Sequence, residues 1–291
     1  MFEQLGLIGC GLMGGSFALA MKRAGLVKRV VGYSKSPSTT ERARQMGVID
    51  VEAPSALLAI SGADIVLVAV PVAATEATFK SIKHLLHHDV LLMDVGSTKE
   101  EVVQAAQRSL RQFANCFVPA HPIAGKEKAG VEHADANLYH NRQVILTPTA
   151  VTSPALLQKA QALWHALGSK VIQMTPEQHD ATFAAVSHLP HLLAFAAMNA
   201  ISNQNQGADF LSMAGPGFRD FTRIAASDPS VWRDIFLSNR TELLAQSQAF
   251  QHALQALETA ITSGDGQALA KLLEQASTTR THWTLSSKHL N

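Results

Sequence analysis

Cysteine, aromatic residues and excess charge are all scarce in this chain. Its 291 residues include 2 cysteines, Cys10 and Cys116, which cannot form a disulfide framework and indicate a cytosolic protein. Aromatic residues make up 6% of the chain, and the formal net charge is +1. This composition favours neither nucleic acid nor a membrane surface as a partner. Hydrophobic residues amount to 47%, so the chain can bury a substantial core.

The chain also lacks a long, uninterrupted apolar run. The longest apolar stretch, residues 56–74, is interrupted by Ser61, Gly62, Asp64 and Pro71. This pattern predicts a helix end, a turn and a buried strand rather than a transmembrane helix. The N-terminus enters an apolar strand at Leu5 without a basic region before it, so no secretory signal is expected.

The first half alternates short apolar runs with helical segments. Runs that are apolar on both faces predict parallel strands covered by helices on each side, which is a doubly wound α/β sheet. The predicted strands are residues 5–8, 30–33, 65–70, 90–94, 117–120 and 144–147. The predicted helices are residues 14–24, 39–46, 73–86 and 99–110, and a helix at 154–167 with a strand at 171–174 closes this domain.

From about residue 176 the strand signals stop and alanine, leucine and glutamine recur at helical spacing. Helices are predicted over residues 181–203, 218–226, 230–261 and 266–278. The third of these is long for a globular helix, and we expect a second subunit to cover its apolar face. The sequence therefore predicts a dinucleotide-binding domain at residues 1–174 and a helical dimerisation and substrate-binding domain at 175–291.

A Gly-x-Gly-x-x-Gly motif lies between the first predicted strand and the first predicted helix. In this position the motif is typical of a dinucleotide pyrophosphate site. Gly9 permits the tight turn, Gly11 the close approach of the backbone, and Gly14 close helix packing, while the amides of the helix N-terminus face the phosphates. The predicted cofactor-binding residues are Gly9, Gly11, Leu12, Met13, Gly14, Ser34, Lys35, Val70, Pro71 and Ser97.

The end of the second predicted strand predicts which cofactor binds. An NAD enzyme places a carboxylate there for the ribose hydroxyls. This chain has Ser34, Lys35 and Ser36 instead. The hydroxyls can donate to a 2′-phosphate and the lysine can supply positive charge, so NADP is favoured. The alternative is that Lys35 is a solvated loop residue and that NAD also binds.

Two polar residues follow neighbouring strands where ligands bind in open α/β sheets. Ser97 comes after the strand that ends at Asp94, and His121 comes after the next strand. Ser97 can cap the following helix, or it can orient an imidazole or contact the nicotinamide amide. His121 is predicted to lie beside the cofactor cleft and to accept a proton.

Further candidate residues lie in the helical half. His188 and His191 share one helix face, yet no third ligand is spaced to complete a zinc site, so no metal is expected. Arg219 and Arg223 are four residues apart, and an arginine fork suits a carboxylate. The alternative for either arginine is an ion pair with Asp220, Asp228 or Asp234.

These motifs together resemble the prephenate/arogenate dehydrogenase family of tyrosine biosynthesis. The resemblance is carried by residues 9–14, 94–99, 121–125, 187–191 and 217–223, and by the segments at 227–229 and 232–234. It implies a Rossmann domain, a helical dimerisation domain and an active site between them. The implied reaction is the oxidative decarboxylation of prephenate, with arogenate as a further substrate, and hydride transfer to NADP.

The resemblance also implies residue roles. His121 is the catalytic histidine, and Ser97 is the serine between it and the nicotinamide. The substrate-binding residues are His191, Arg223, His188 and Trp232. Arg223 grips a carboxylate, and Trp232 can reach the site from the partner subunit. The implied reaction needs no metal, because formation of the aromatic ring drives decarboxylation.

Two departures and two rivals accompany the resemblance. Lys126 replaces a small hydroxyl residue of some members, and His191 favours prephenate over arogenate. The sequence shows no fused chorismate mutase or regulatory module, so any tyrosine inhibition would have to act at the active site. The rivals are a β-hydroxyacid dehydrogenase, which would need a catalytic lysine where this chain has histidines, and a non-catalytic NADP-binding sensor.

Overall fold

The structure, a computed structural model, describes residues 1–126 and 128–283. These residues form two compact units, which divide between Glu242 and Leu243. The first unit holds both sheets and every candidate site residue. The division predicted between residues 174 and 175 separates the sheet-forming half from the helical half and stays a prediction.

A parallel sheet of six strands organises the first unit. Its order, β3-β2-β1-β4-β5-β6, reverses between β1 and β4, and ligands bind at such a switch point. The predicted doubly wound fold is confirmed, although the short strand β3 was not predicted. The strands are β1 (Phe2–Ile8), β2 (Val27–Tyr33), β3 (Val51–Glu52), β4 (Ile65–Val68), β5 (Leu91–Asp94) and β6 (Phe117–Val118).

Helices cover this sheet and enclose a core of large apolar side chains. Phe17, Tyr139 and Trp164 are fully buried and meet edge to face. The Tyr139 hydroxyl donates to the Met13 carbonyl at 2.6 Å, which ties this core to the start of the first helix. The helices are α1 (Leu12–Arg23), α2 (Pro37–Gln45), α3 (Ala56–Ala59), α4 (Val72–Ile82), α5 (Glu100–Leu110) and α6 (Pro154–Ala166).

A second sheet, of three strands, corrects the strand predicted at residues 117–120. The chain leaves the parallel sheet at Pro119, which has no N–H to donate and whose carbonyl accepts from the Thr147 amide at 3.0 Å. It then forms β7 (Ala120–Pro122), antiparallel to β8 (Gln143–Leu146), which pairs in parallel with β9 (Lys170–Gln173). His121 therefore lies in a strand, opposite Ile145, and not in a loop.

The rest of the first unit is helical, and its first helix begins earlier than predicted. Thr175 and Gln178 form a reciprocal capping box, so the helix starts at Pro176 instead of residue 181. The helices are α7 (Pro176–Phe183), α8 (Leu189–Ser202), α9 (Gly207–Ser212), α10 (Pro216–Thr222) and α11 (Pro229–Ser238).

The single helix predicted at residues 230–261 is wrong. It is broken at Asn239, whose backbone (φ −107°, ψ 37°) leaves the helical region. The buried Asn239 side chain donates to the Asp180 carbonyl at 2.8 Å, a tertiary contact that helical periodicity does not encode. The chain continues as α12 (Arg240–Thr262), and α13 (Gly266–His282) lies in the second unit.

Between α7 and α8 the helix widens into a π-turn at Ala184–His188. Pro190, which has no N–H for the carbonyl four residues earlier, accounts for the irregularity. In the part of the chain that the structure describes, the continuous stretch Pro176–Ser202 is the one helix that meets the length and composition of a membrane span. Core and interface helices of other proteins meet the same criterion.

Candidate active site

The glycine motif forms a turn, and the space around each of its three glycines differs. Gly9 has φ +96°, and a Cβ there would lie 2.2 Å from the Ala69 carbonyl oxygen. A Cβ at Gly14 would lie 2.1 Å from the Gly9 carbonyl oxygen. Gly11, in contrast, has nothing within 4 Å of its Cβ position and opens toward solvent. No side chain caps the α1 N-terminus that follows, so its amides fit a dinucleotide pyrophosphate.

The segment after β2, which begins at Ser34, is hydrogen-bonded to this turn. The Ser34 hydroxyl accepts a hydrogen bond from the Cys10 amide at 2.8 Å and keeps its own hydrogen for another acceptor. Burial raises the pKa of the Cys10 thiol to about 11, so this cysteine is an uncharged packing group. Lys35 is exposed, and the hydroxyls of Ser36 and Ser38 lie 2.8 Å apart.

A cleft of about 1240 Å³ brings most of the predicted site residues together. It is open toward the glycine turn and extends to the helical half of the first unit. Gly9, Gly14, Ser34, Lys35 and His188 do not line it. The predicted residues that do line it are Gly11, Leu12, Met13, Val70, Pro71, Ser97, His121, His191, Arg223 and Trp232.

A buried ion pair holds the strands that carry the polar residues. The Lys99 ammonium pairs with the Asp94 carboxylate and donates to the Ala120 carbonyl at 2.9 Å. Asp94 in turn accepts from the amides of Gly96, at 2.9 Å, and Ala120, at 3.0 Å. Because Ala120 precedes His121, the pair sets the position of the imidazole relative to the Ser97 turn.

His121 is hydrogen-bonded to a second histidine that the sequence analysis missed. Its Nδ1 lies 2.8 Å from His179 Nε2, and His179 Nδ1 lies 2.7 Å from a carboxylate oxygen of Asp180. The Phe183 ring packs against both imidazoles, with centroids 5.0 Å and 4.5 Å away. The only local signal for this pair in the sequence is that His179 and Asp180 directly follow Gln178, the third residue of α7. This position places both side chains near the start of the helix.

Asp180 also caps α5, and of the alternatives for Ser97 the one in which it caps this helix is wrong. The Asp180 carboxylate accepts from the amides of Lys99, at 2.8 Å, and Glu100, at 2.9 Å. The cap therefore comes from a residue that is remote in the chain. Ser97 is half-buried and lines the cleft.

The electrostatic surroundings keep His121 neutral. Burial lowers its pKa well below the usual value, and the nearby His179, Lys99 and His188 lower it further. An uncharged imidazole has one nitrogen with a lone pair. With Nδ1 committed to His179, Nε2 is the nitrogen left for a ligand in the cleft.

His188 lies behind the cleft rather than on its surface. Its side chain is buried, with Nδ1 3.1 Å from the Asn239 amide nitrogen, and it also bonds to the Ser97 backbone. Burial lowers the pKa of His188 to about 4. The sequence predicted direct substrate binding, whereas the structure makes His188 a support of the Ser97 turn.

His191, Trp232 and Arg223 form the other wall of the cleft. The His191 and Trp232 rings stack with centroids 3.4 Å apart and an interplanar angle of 19°. His191 Nδ1 bonds to the Ser187 carbonyl at 2.9 Å, and its pKa is lowered by burial and by Arg223. The stack lies within one chain, whereas the resemblance placed Trp232 in the partner subunit.

Two other cationic candidates have protein partners. Arg219 lies 3.7 Å from Asp220, both exposed, as the ion-pair alternative predicted. Lys126 pairs with Asp135 at 3.0 Å and donates to the His133 carbonyl at 3.0 Å, while its side chain lines the cleft. In the described ranges no group of three or more His, Cys, Asp or Glu residues could hold a metal ion, and the predicted absence of a metal stays a prediction.

Comparisons with known proteins place this geometry in a family. Residues 17–173 match the model of the prephenate dehydrogenase nucleotide-binding domain, and residues 175–275 match that of the prephenate dehydrogenase dimerization domain. The cyclohexadienyl dehydrogenase of Zymomonas mobilis is 34% identical over 96% of this chain and 95% of its own length. The prephenate dehydrogenase of Bacillus subtilis is 33% identical over 95% of this chain and 75% of its own.

A solved structure is similar over the same extent. The crystal structure of prephenate dehydrogenase from A. aeolicus, in complex with hydroxyphenyl propionate and NAD+, superimposes with a TM-score of 0.90. It is 36% identical, and the match covers 97% of this chain and 98% of that one. The predicted resemblance is therefore confirmed, and the β-hydroxyacid rival is set aside.

Proposed function

Because the chain belongs to the prephenate dehydrogenase family, we propose that it catalyses the oxidative decarboxylation of prephenate to 4-hydroxyphenylpyruvate. The observation that carries the proposal is the neutral His121 imidazole in the cleft, with Nδ1 bonded to His179 and Nε2 left for a substrate proton. A metal is not required, because aromatisation of the ring drives the loss of carbon dioxide.

The cofactor residues proposed are those of the glycine turn and the cleft floor. The α1 N-terminal amides hold the pyrophosphate, and Val70 and Pro71 flank the dinucleotide. Ser97 lines the cleft, and its proposed role is to contact the nicotinamide amide and the His121 imidazole through its hydroxyl. When bound, the nicotinamide ring supplies the hydride acceptor.

The reacting residues act on the substrate ring. His121 Nε2 takes the proton of the ring hydroxyl, and a base of this kind contributes about 10²–10⁴-fold to the rate. The Arg223 guanidinium binds a carboxylate of the substrate. The stacked rings of His191 and Trp232 offer a flat wall for the cyclohexadiene ring.

Prephenate is the proposed substrate, with arogenate as a second one. Arogenate carries an ammonium group, and the cleft wall nearest His191 carries the cationic Arg223. A positive side chain at that position favours the keto acid over the amino acid. The relative named cyclohexadienyl dehydrogenase supports dual use.

NADP is the proposed preferred cofactor, with NAD as the alternative. Support comes from Ser34, Lys35 and Ser36, because no carboxylate stands at the end of β2 to repel a 2′-phosphate. The NAD+ bound in the A. aeolicus enzyme supports the alternative.

A cytosolic homodimer is the proposed assembly, with no nucleic acid or membrane as partner. The dimerization-domain match at residues 175–275 supports it, as do exposed apolar side chains such as Phe210, Met213 and Phe221. The proposed domains remain residues 1–174 and 175–291, with the family models on either side of that boundary.

The test is an assay of purified protein with prephenate, in which reduction of NADP and of NAD is followed in parallel and then repeated with arogenate. Rapid NADP reduction with prephenate is the expected result. If arogenate reacts and prephenate does not, the substrate assignment is wrong, whereas the proposed mechanism is unaffected. No reaction with any pair would favour the non-catalytic NADP-binding sensor.

A further inference from the structure

We propose that His179 accepts a proton directly from His121, and that the Asp180 carboxylate stabilises the positive charge that then forms on His179. The proposal rests on the proposed function, in which His121 removes a proton from the substrate. It makes the acid–base group of this enzyme a relay of three side chains rather than a single histidine.

Contacts with Asp180 determine which relay nitrogens carry hydrogen. The Asp180 oxygens already accept from the Lys99 and Glu100 amides, so this carboxylate is an ionised acceptor. His179 must therefore donate to it from Nδ1. A neutral His179 then has a lone pair at Nε2, and His121 must donate to that lone pair from Nδ1. His121 Nε2 is left as the base.

Burial makes this arrangement dry and well defined. The His179 and Asp180 side chains are 0% and 3% exposed. The Phe183 ring covers both imidazoles, and the bonds between relay members are 2.8 Å and 2.7 Å long. A short contact that is shielded from bulk solvent suits proton transfer between rings.

The proton moves in two balanced steps. The substrate O–H bond breaks as an N–H bond forms at His121 Nε2. The His121 Nδ1–H bond then breaks as an N–H bond forms at His179 Nε2. His121 becomes neutral again, the charge lies on His179, and no electrons change hands in this transfer.

The charges around the two rings favour the second position. His121 faces His179, Lys99 and His188, and each of these opposes a positive charge on it. Burial lowers the pKa of His179 as well and Lys99 opposes its charge, but the carboxylates of Asp180 and Asp94 both stabilise its protonated form. A proton that reaches His121 is therefore more stable after transfer to His179.

Two substitutions separate a relay from a purely structural role. His179→Gln offers an amide oxygen near the Nε2 position, so it can hold His121 in place but cannot take up a proton. His179→Asn offers an amide nitrogen near Nδ1 and can bind Asp180 without reaching His121. His165→Gln, at an exposed histidine of α6, is the matched control and should leave kcat unchanged.

We expect kcat with prephenate to fall about 10- to 100-fold in His179→Gln, which is at or below the lower end of the range of about 10²–10⁴-fold for general-base catalysis, because His121 itself remains. The acidic limb of the kcat–pH profile should move to lower pH, because His121 alone is the weaker base. Cofactor affinity and the unfolding temperature should stay close to wild type. A His179→Gln variant with the wild-type kcat and pH profile would reduce His179 to a positioning residue and overturn the relay.

A measurement without substrate keeps this test separate from that of the proposed function. Nitrogen-15 spectra of the histidine rings in the free protein should show His121 and His179 as Nδ1-protonated tautomers. An Nε2-protonated His121 would overturn the relay even in an active enzyme. Correct tautomers in a protein that does not turn over prephenate would instead indicate that the proposed reaction is wrong.

Discussion

The glycine turn and the histidine network meet at one cleft but are built from different contacts. The turn consists of backbone within a short stretch of chain, and its restrictions are steric, as at Gly9 and Gly14. The network joins Asp94 and Lys99 to His121, His179 and Asp180 across three elements. At Gly9 and Gly14 the turn leaves no room for an added Cβ, whereas the network loses a hydrogen bond or a counter-ion when one partner is removed.

The largest expected effect is the loss of the catalytic base at the centre of the network. His121→Asn should lower kcat by about 10²–10⁴-fold, because an amide cannot accept the hydroxyl proton. Cofactor affinity should survive, since the glycine turn is untouched. Steady-state kinetics and a cofactor-binding titration measure the two effects separately. Equal loss of both would argue that His121 has a structural role.

Breaking the ion pair beneath the network should be next in size. Lys99→Met leaves the Asp94 carboxylate buried without its counter-ion, and the free energy of unfolding should fall by about 3–5 kcal/mol. Urea denaturation measures this. Lys80→Met, which breaks the exposed pair with Glu76, is the control and should change the free energy of unfolding far less, because solvent screens an exposed ion pair. Similar losses for both would contradict the buried pair's structural importance.

The free energy of unfolding should depend on pH through the buried histidines and not through the glycine turn, which has no group that titrates near neutral pH. The pKa of His188 is about 4 in the folded chain and about 6.5 in the unfolded one. As pH falls from 6.5 to 4, the unfolded chain binds a proton that the folded chain does not. The free energy of unfolding should therefore decline by about 3 kcal/mol over that window and be unaffected above it.

Urea denaturation at pH 7 and pH 5 tests this, and the comparison is sharper with variants. His188→Gln should remove part of the decline, whereas His84→Gln, at an exposed histidine, should not. His121 and His179 also have lowered pKa values and contribute with the same sign. A free energy that rises on acidification would show that these histidines are not buried in their neutral form.

Two neighbouring glycines should respond differently to the same methyl group. Gly9→Ala places a Cβ against the Ala69 carbonyl at positive φ and should cost at least about 1–3 kcal/mol of folding stability. Gly11→Ala meets no protein atom, so stability should be kept while cofactor affinity falls about tenfold. Thermal unfolding and cofactor titration separate the two. Equal thermal losses would contradict the open position of Gly11.

The smallest expected effect concerns cofactor choice. Lys35→Glu puts a carboxylate near the proposed 2′-phosphate site and should lower the preference for NADP over NAD by about tenfold, roughly 1.4 kcal/mol. Lys35→Gln removes the charge without reversing it and should have a smaller effect. The ratio of kcat/KM values for the two cofactors is the measurement. An unchanged ratio in both variants would identify Lys35 as a solvated loop residue.

The fold class and the glycine turn could be predicted because their signals are local. Apolar runs covered on both faces and a glycine motif between strand and helix depend on neighbours in the chain. The strand at residues 117–120 was wrong because Pro119 sends the backbone to a different sheet. The helix at residues 230–261 was wrong because Asn239 bonds to Asp180, and periodicity does not report such a contact.

The site could be predicted only in part for the same reason. His121, His191, Arg223 and Trp232 follow from motifs, and the structure brings them to one cleft. His179 and Asp180 belong to none of those motifs. Their importance comes from their contacts. His179 bonds to His121, and Asp180 accepts from the amides at the start of α5.

By itself, the sequence determined the α/β architecture, the glycine turn and the family, and it identified His121 as the candidate base. The turn and the strands depend on residue type and spacing within short segments, and the family depends on several such motifs in a fixed order. Only the tertiary structure decided the cap of α5, the supporting position of His188 behind Ser97 and the hydrogen-bond partner of His121. Those features depend on hydrogen bonds between residues more than fifty positions apart, and the folded chain alone brings such donors and acceptors to 2.8–3.1 Å from each other.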